Sequence, residues 1–218
     1  MKLNIGYKNY SSWSLRPWLL MKEAEIEFEE IVLPIFHDNS LAELASKLKV
    51  PAQVPILEAG GNVIWDSLAI AEYLAEQYSD KVLWPAEPAV RSLARSASAE
   101  MHSGFQALRS QCPMNCRASK RLQADKALSG DLQRLAQLWE MFKKHKTDGD
   151  FLCGKFGIVD AMYAPIGVRV RGYNLSVSPA FNEWNQALFA LPSMQQWIAA
   201  AKTEPWKVES YDAIGDPA

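Results

Sequence analysis

Cysteine is scarce in this chain, and none lies before residue 112. The three present, Cys112, Cys116 and Cys153, cannot all pair with one another. Cys112 and Cys116 stand four apart with Pro113 between them, which is not a Cys-x-x-Cys redox motif. No histidine cluster accompanies them to complete a zinc site. So sparse and odd a set reads as reduced, structural thiols in a cytosolic protein. Basic excess is missing too: the net charge of −2 gives no surface for nucleic acid. No apolar run approaches the length of a membrane span. No basic patch followed by an apolar stretch opens the chain, so a secretory leader is not expected.

What is present suits one large domain or two small ones, with a core of useful size. Two regimes divide the chain. Up to about Tyr78, short β-like runs alternate with helical ones. Strands are expected at Lys2–Tyr7, Glu27–Leu33, Val54–Glu58 and Val63–Trp65, and helices at Ser14–Glu25, Leu41–Leu48 and Ser67–Tyr78. Ala59-Gly60-Gly61-Asn62 is turn chemistry between two of those strands. Beyond Pro85 and Pro88 no further strand is expected, only long helical patterns. Leu128, Leu132, Leu135, Trp139 and Phe142 step by four and three, as the core face of a bundle helix does. The expected division is an α/β domain over residues 1–80, a linker over 81–87 and an all-helical domain over 88–218.

One short stretch raises a chemical question. In Tyr10-Ser11-Ser12-Trp13-Ser14-Leu15-Arg16-Pro17, hydroxyl groups crowd the point where a strand hands over to a helix. Pro17 belongs in a first turn, where a missing N–H costs little, which puts the N-cap near Ser14. Ser11 and Ser12 then precede the helix, facing its free N–H groups and the positive end of its dipole. That arrangement stabilises an anion. Capping and turn formation would account for the same serines. A second stretch runs from Val50 to Leu74. Pro55 opens a strand, and a cis bond after Val54 would leave the Val54 main chain turned outward to a peptide-like ligand. Asp66 and Ser67 stand where a hairpin ends and a helix begins, placed either to cap it or to hold a carboxylate.

Together these segments resemble the glutathione transferase superfamily, and the resemblance covers nearly the whole chain. Ser11 to Arg16 is similar to the active-site segment of serine- and cysteine-type members. Gln53-Val54-Pro55-Ile56-Leu57 resembles the cis-proline strand, and Asp66-Ser67 followed by Ala69-Ile70 resembles the segment holding the γ-glutamyl end of glutathione. Gly157-Ile158-Val159-Asp160 is similar to the buried helix cap of the second domain, with glycine where the family usually has serine or threonine. The resemblance implies a thioredoxin-like N-terminal domain followed by an all-helical C-terminal bundle domain.

It also implies glutathione as co-substrate, a homodimer, and no metal, nucleic-acid or membrane partner. Ser11 is then the expected hydroxyl donor to the glutathione thiolate, with Ser12, Tyr7 and Tyr10 as alternatives. Absence of an early cysteine argues against thiol exchange. Gln53, Val54, Asp66 and Ser67 would bind glutathione, and His37 or Lys49 would add to its glycyl end. A small electrophile would meet Trp13, Met101, Phe105 and Arg109, with Met101, Phe105 and Arg109 along one helix face. Arg109 would suit an acidic substrate group. His102, Tyr163 and Trp206 are further cleft candidates. Conjugation, glutathione-dependent cis–trans isomerisation and a non-catalytic binding module remain the three readings. Trp13 stands where isomerases of the maleylacetoacetate class often carry cysteine.

Overall fold

The computed structural model describes residues 1–35, 37–145 and 148–217. The N-terminal part contains β1 (Lys2–Ile5), α1 (Ser12–Glu23), β2 (Glu29–Val32), α2 (Ser40–Leu48), β3 (Ile56–Ala59), β4 (Asn62–Trp65) and α3 (Ser67–Gln77). Its four strands lie in the order β2-β1-β3-β4. β1 pairs parallel with β2 and antiparallel with β3, and β3 and β4 form the hairpin that Gly60 and Gly61 turn at positive φ. This is the thioredoxin-like arrangement. Three of the four strands are shorter than the sequence reading expected, with β1 stopping at Ile5 and β3 starting after the cis Val54–Pro55 bond, while β4 begins one residue earlier, at Asn62.

The remainder is almost entirely helical: α4 (Pro88–Ser103), α5 (Gln106–Gln111), α6 (Lys126–Lys143), α7 (Ile158–Gly172), α8 (Pro179–Ala190), α9 (Pro192–Thr203) and the single turn α10 (Glu209–Asp212). A two-residue ladder, β5 (Lys120–Arg121) with β6 (Asp216–Pro217), corrects the expectation that no strand follows Pro88. It was invisible in sequence because so short a pairing carries no alternation. Leu128, Leu132, Leu135, Trp139 and Phe142 on α6 are all buried, so their spacing is a core face. No helix among the described residues is long and apolar enough to cross a membrane.

α1 joins the two parts. It packs against α7 as well as α3 and α9, and one hydrophobic cluster runs from Leu3 and Ile5 through Trp18 to Tyr163 and Trp184. α7 is buried along nearly its whole length. Its N-terminus is tied down by Asp160, whose carboxylate accepts from Gly157 N at 3.0 Å, Leu152 N at 3.0 Å and Trp184 Nε1 at 2.8 Å. The glycine at position 157 has a packing reason. A Cβ there would sit 2.9 Å from the Leu83 carbonyl oxygen, closer than such contacts allow. Asp160 therefore caps the helix from inside, and the serine or threonine expected of the motif does not fit.

Candidate active site

The first turn of α1 differs from the sequence reading. Its N-cap is Ser11, not Ser14, and Ser12 is already helical. Pro17 sits in the second turn, where its missing N–H leaves the Trp13 carbonyl without its helical donor. The error came from placing proline in the first turn by its commonest habit. Ser11 Oγ accepts from Ser14 N at 3.4 Å and lies 2.7 Å from Ser14 Oγ. Ser14 Oγ in turn accepts from Gly6 N at 3.1 Å. A run of polar contacts therefore leads from the β1 end to Ser11.

Ser11 and Ser12 open onto a cavity of about 320 Å³, which Val54 also lines from the cis-proline turn. Tyr7 and Tyr10 border it. Tyr10 is engaged elsewhere: its hydroxyl donates to Asp212 at 3.0 Å and accepts from Val208 N at 3.1 Å. Burial raises its pKa, so it is a poor source of phenolate. Tyr7 is fully buried and stacks on Trp206, ring centroids 4.8 Å apart. The segment after α9 thus lies over the site. Glu204 clips it down, accepting from Lys8 N at 2.8 Å and Asn9 N at 3.0 Å.

Two guanidinium groups line the same cavity, Arg109 and Arg169, and among the described residues no carboxylate does. Arg169 Nε donates to Cys112 O at 2.8 Å, while its buried Nη1 has no partner. Burial, then Arg109, lowers its pKa to about 10. A third cation, Arg16, stands in an otherwise apolar stretch of α1 and is almost wholly buried. Its Nη1 donates to Ser67 Oγ at 3.2 Å, and its Nε and Nη2 are buried without partners. Burial holds its pKa well below the usual arginine value, and repulsion from Arg109 and Arg169 adds to this. Three partly uncompensated cations make this an anion-attracting region.

Trp13 is packed between Arg16 and Arg109, whose guanidinium carbons lie 4.2 and 4.9 Å from its ring. Asp66 caps α3, its Oδ1 accepting from Leu68 N at 2.8 Å, and its Oδ2 meets His102 Nε2 at 3.1 Å. So Arg16, Trp13 and His102 connect the Asp66–Ser67 pair to the serine-lined cavity.

Other expectations do not gather there. Met101 and Phe105 are core residues, and neither borders the cavity. No single helix face carries them with Arg109, because α4 ends at Ser103 and Phe105 adopts a φ of 58° before α5 begins. Arg109 bridges that break, donating to Gly104 O at 2.8 Å and to Met101 O. Tyr163 is buried with its hydroxyl on Ala97 O. Gln53 and Lys49 are exposed, and His37, also exposed, reaches the cavity only through its ring contact with Tyr7, centroids 5.9 Å apart. The sequence reading missed Arg16 as the partner of Ser67, Arg169, and the C-terminal cover. A lone charge inside the apolar run of α1 was the available signal for Arg16. Arg169 gave none, and of the C-terminal cover only Trp206 was expected near the cleft, where it does stack on Tyr7.

Residues 10–77 match the family described as glutathione S-transferase, N-terminal domain. A probable maleylacetoacetate isomerase of Caenorhabditis elegans is 30% identical over 200 residues, covering 86% of this chain and 87% of that protein. The chain belongs to the glutathione S-transferase family. A maleylacetoacetate isomerase of Rattus norvegicus is 27% identical, covering 87% of this chain and 88% of its own length. Among solved structures, a glutathione transferase homolog from Burkholderia with bound glutathione superposes with a TM-score of 0.70 at 21% identity, over 93% of this chain and 98% of that one. This transferase fold carries the hydroxyl pair and the Asp66–Ser67 pair at the two helix N-termini described above.

Proposed function

We propose that this glutathione S-transferase conjugates the thiolate of glutathione to a small electrophile, with Ser11 as the hydroxyl that stabilises the sulfur anion. The observation that carries the reading is the opening of Ser11, Ser12 and Val54 onto one cavity walled by arginine and free of carboxylate. A serine is too weak a base to take the thiol proton; it donates a hydrogen bond to the anion instead. Gly6 N–H donates to Ser14 Oγ, and rotating two hydroxyls lets Ser14 donate to Ser11, freeing the Ser11 proton for sulfur. Such a chain polarises each member in turn. A hydrogen bond to a charged group contributes about 1.5–3 kcal/mol, and the helix end about 0.3–1 kcal/mol. Together they lower a thiol pKa of about 8.5 by roughly one to three, enough to make thiolate abundant at neutral pH. Ser12 is the alternative donor.

Val54 would pair with the cysteinyl main chain, and Asp66 with Ser67 would hold the γ-glutamyl end, while Gln53 would reach the glycyl carboxylate. Trp13 and Arg109 would face the electrophile. An exposed apolar patch on β4 and α3, with Trp65 46% exposed beside Val63 and Leu68, supports a homodimer. Three cysteines and no disulfide among the described residues support a cytoplasmic setting, and conjugation of electrophiles there would serve detoxification.

A second reading is glutathione-dependent cis–trans isomerisation, favoured by the activity named for the nematode and rat relatives. Trp13 weighs against it. The two separate by whether glutathione is consumed. The decisive experiment is titration of the bound thiol by its ultraviolet absorbance in the parent and in Ser11→Ala, with an aryl halide assay alongside. The variant should raise the thiol pKa by about one to two and slow conjugation below neutrality accordingly. An unchanged pKa and full rate would exclude Ser11.

A further inference from the structure

We propose that His102 is a positioning residue for glutathione: it shares Asp66 with the tripeptide's γ-glutamyl ammonium, so protonating His102 weakens glutathione binding. This rests on the transferase reading above. His102 lies in the last turn of α4, and Asp66 is the N-cap of α3, so their contact crosses from the helical part to the sheet-bearing part. Oδ1 of Asp66 is committed to the backbone, accepting from Leu68 N at 2.8 Å and Ala69 N at 3.3 Å. Oδ2 is the oxygen left for a ligand cation, and His102 Nε2 already stands 3.1 Å from it.

The charge on the imidazole decides whether the two can coexist. Nε2 must carry a proton to donate to Asp66. Nδ1 is buried and has no partner. A second proton there would be an unmet buried donor. Its charge would also face Arg16 from α1 and Arg109 from α5, opposed only by Asp66 from α3. Trp13 packs edge-on against the imidazole, 5.2 Å between centroids, and the ring stays part-exposed. Burial first, and then the two arginines, accordingly hold His102 below its ordinary pKa. Neutral His102 occupies one lone pair of Oδ2 and leaves the other to an ammonium. Imidazolium would set two cations on one oxygen.

Linkage then gives the sign. A bound ammonium lowers the proton affinity of His102, so binding expels a proton wherever the free protein carries one. Affinity is flat above the His102 titration and falls as pH drops through it, by no more than about tenfold per pH unit for one proton. Couplings between neighbouring sites run from roughly fivefold upward, so a five- to tenfold loss is expected.

Isothermal titration with S-methylglutathione, whose sulfur does not titrate, tests this between about pH 7.5 and pH 5. The parent should weaken five- to tenfold across that range, and His102→Gln should change by less than about twofold. A second measurement needs no variant: in the parent near pH 6, binding should release a fraction of a proton to buffer, read from two buffers of different ionisation enthalpy. The same slope in both proteins would assign the effect to another group such as His37 and overturn the proposal. So would a flat affinity in the parent or an absence of proton release. A purely structural His102 would shift affinity equally at every pH. Failure to bind at any pH would overturn the transferase reading itself.

Discussion

Asp160 makes the sharpest test of how the fold is held. It is wholly buried at the start of α7, and three donors converge on its carboxylate: Leu152 N and Trp184 Nε1 on one oxygen, Gly157 N on the other. The donors favour the charged form, yet burial outweighs them and raises the pKa from 3.8 to about 6. A folded value above the unfolded one means the native state binds the proton more tightly. Stability from this group is therefore full below the unfolded value and is lost as pH rises to about 6. The displacement corresponds to about 3 kcal/mol in all, of which about 2 kcal/mol falls between pH 4 and 7.5. Asp160→Asn removes the titration. It keeps one acceptor but turns an amide NH₂ toward Gly157 N–H, a constant penalty of about 1–3 kcal/mol. Urea unfolding of both proteins at stepped pH gives the difference directly. Asn should be the less stable at pH 4, and the gap should narrow by about 2 kcal/mol by pH 7.5. A constant gap would refute the reasoning by showing that the three donors balance burial, and one that widens with pH by showing that they prevail over it.

Three further outcomes follow from the same geometry. Gly157→Ser would complete the family's capping pattern on paper, yet its Cβ meets the Leu83 carbonyl, so thermal unfolding should show a loss of about 1 kcal/mol or more instead of a gain. Tyr10→Phe removes the partner of Val208 N and one of the two donors to Asp212, leaving Asn115; limited proteolysis should cut residues 204–217 faster, while the thiol pKa of bound glutathione stays unchanged. Faster cleavage without exposure of the serine site would refute the role of this segment as its cover. The thiols of Cys112, Cys116 and Cys153 are raised to about 11, 12 and 12, chiefly by burial, so alkylation at pH 8 should be slow until the chain unfolds. Rapid labelling of the native protein would contradict it.

Alternation and turn residues carried the order of strands and helices in the first part, since both are local properties. The apolar spacing of α6 likewise marked its buried face before any packing was known. Motif spacing brought out the serines, the cis-proline strand and the Asp66–Ser67 pair. Boundaries were less legible, because Pro17 tolerates a second-turn position once tertiary packing holds the helix. Evenly spaced Met101, Phe105 and Arg109 suggested one helix, but Phe105 turns the chain at positive φ, and local periodicity carries no record of that break. Only tertiary structure decided which polar groups meet. Arg16 finds Ser67 and His102 finds Asp66 across 51 residues and across the two parts of the chain, respectively. The C-terminal segment closes over Tyr7 and Tyr10 from nearly two hundred residues away. Sequence determines which side chains can donate, accept or carry charge; the packing of α1 against α7 decides which of them share a cavity, because that depends on contacts no local pattern encodes.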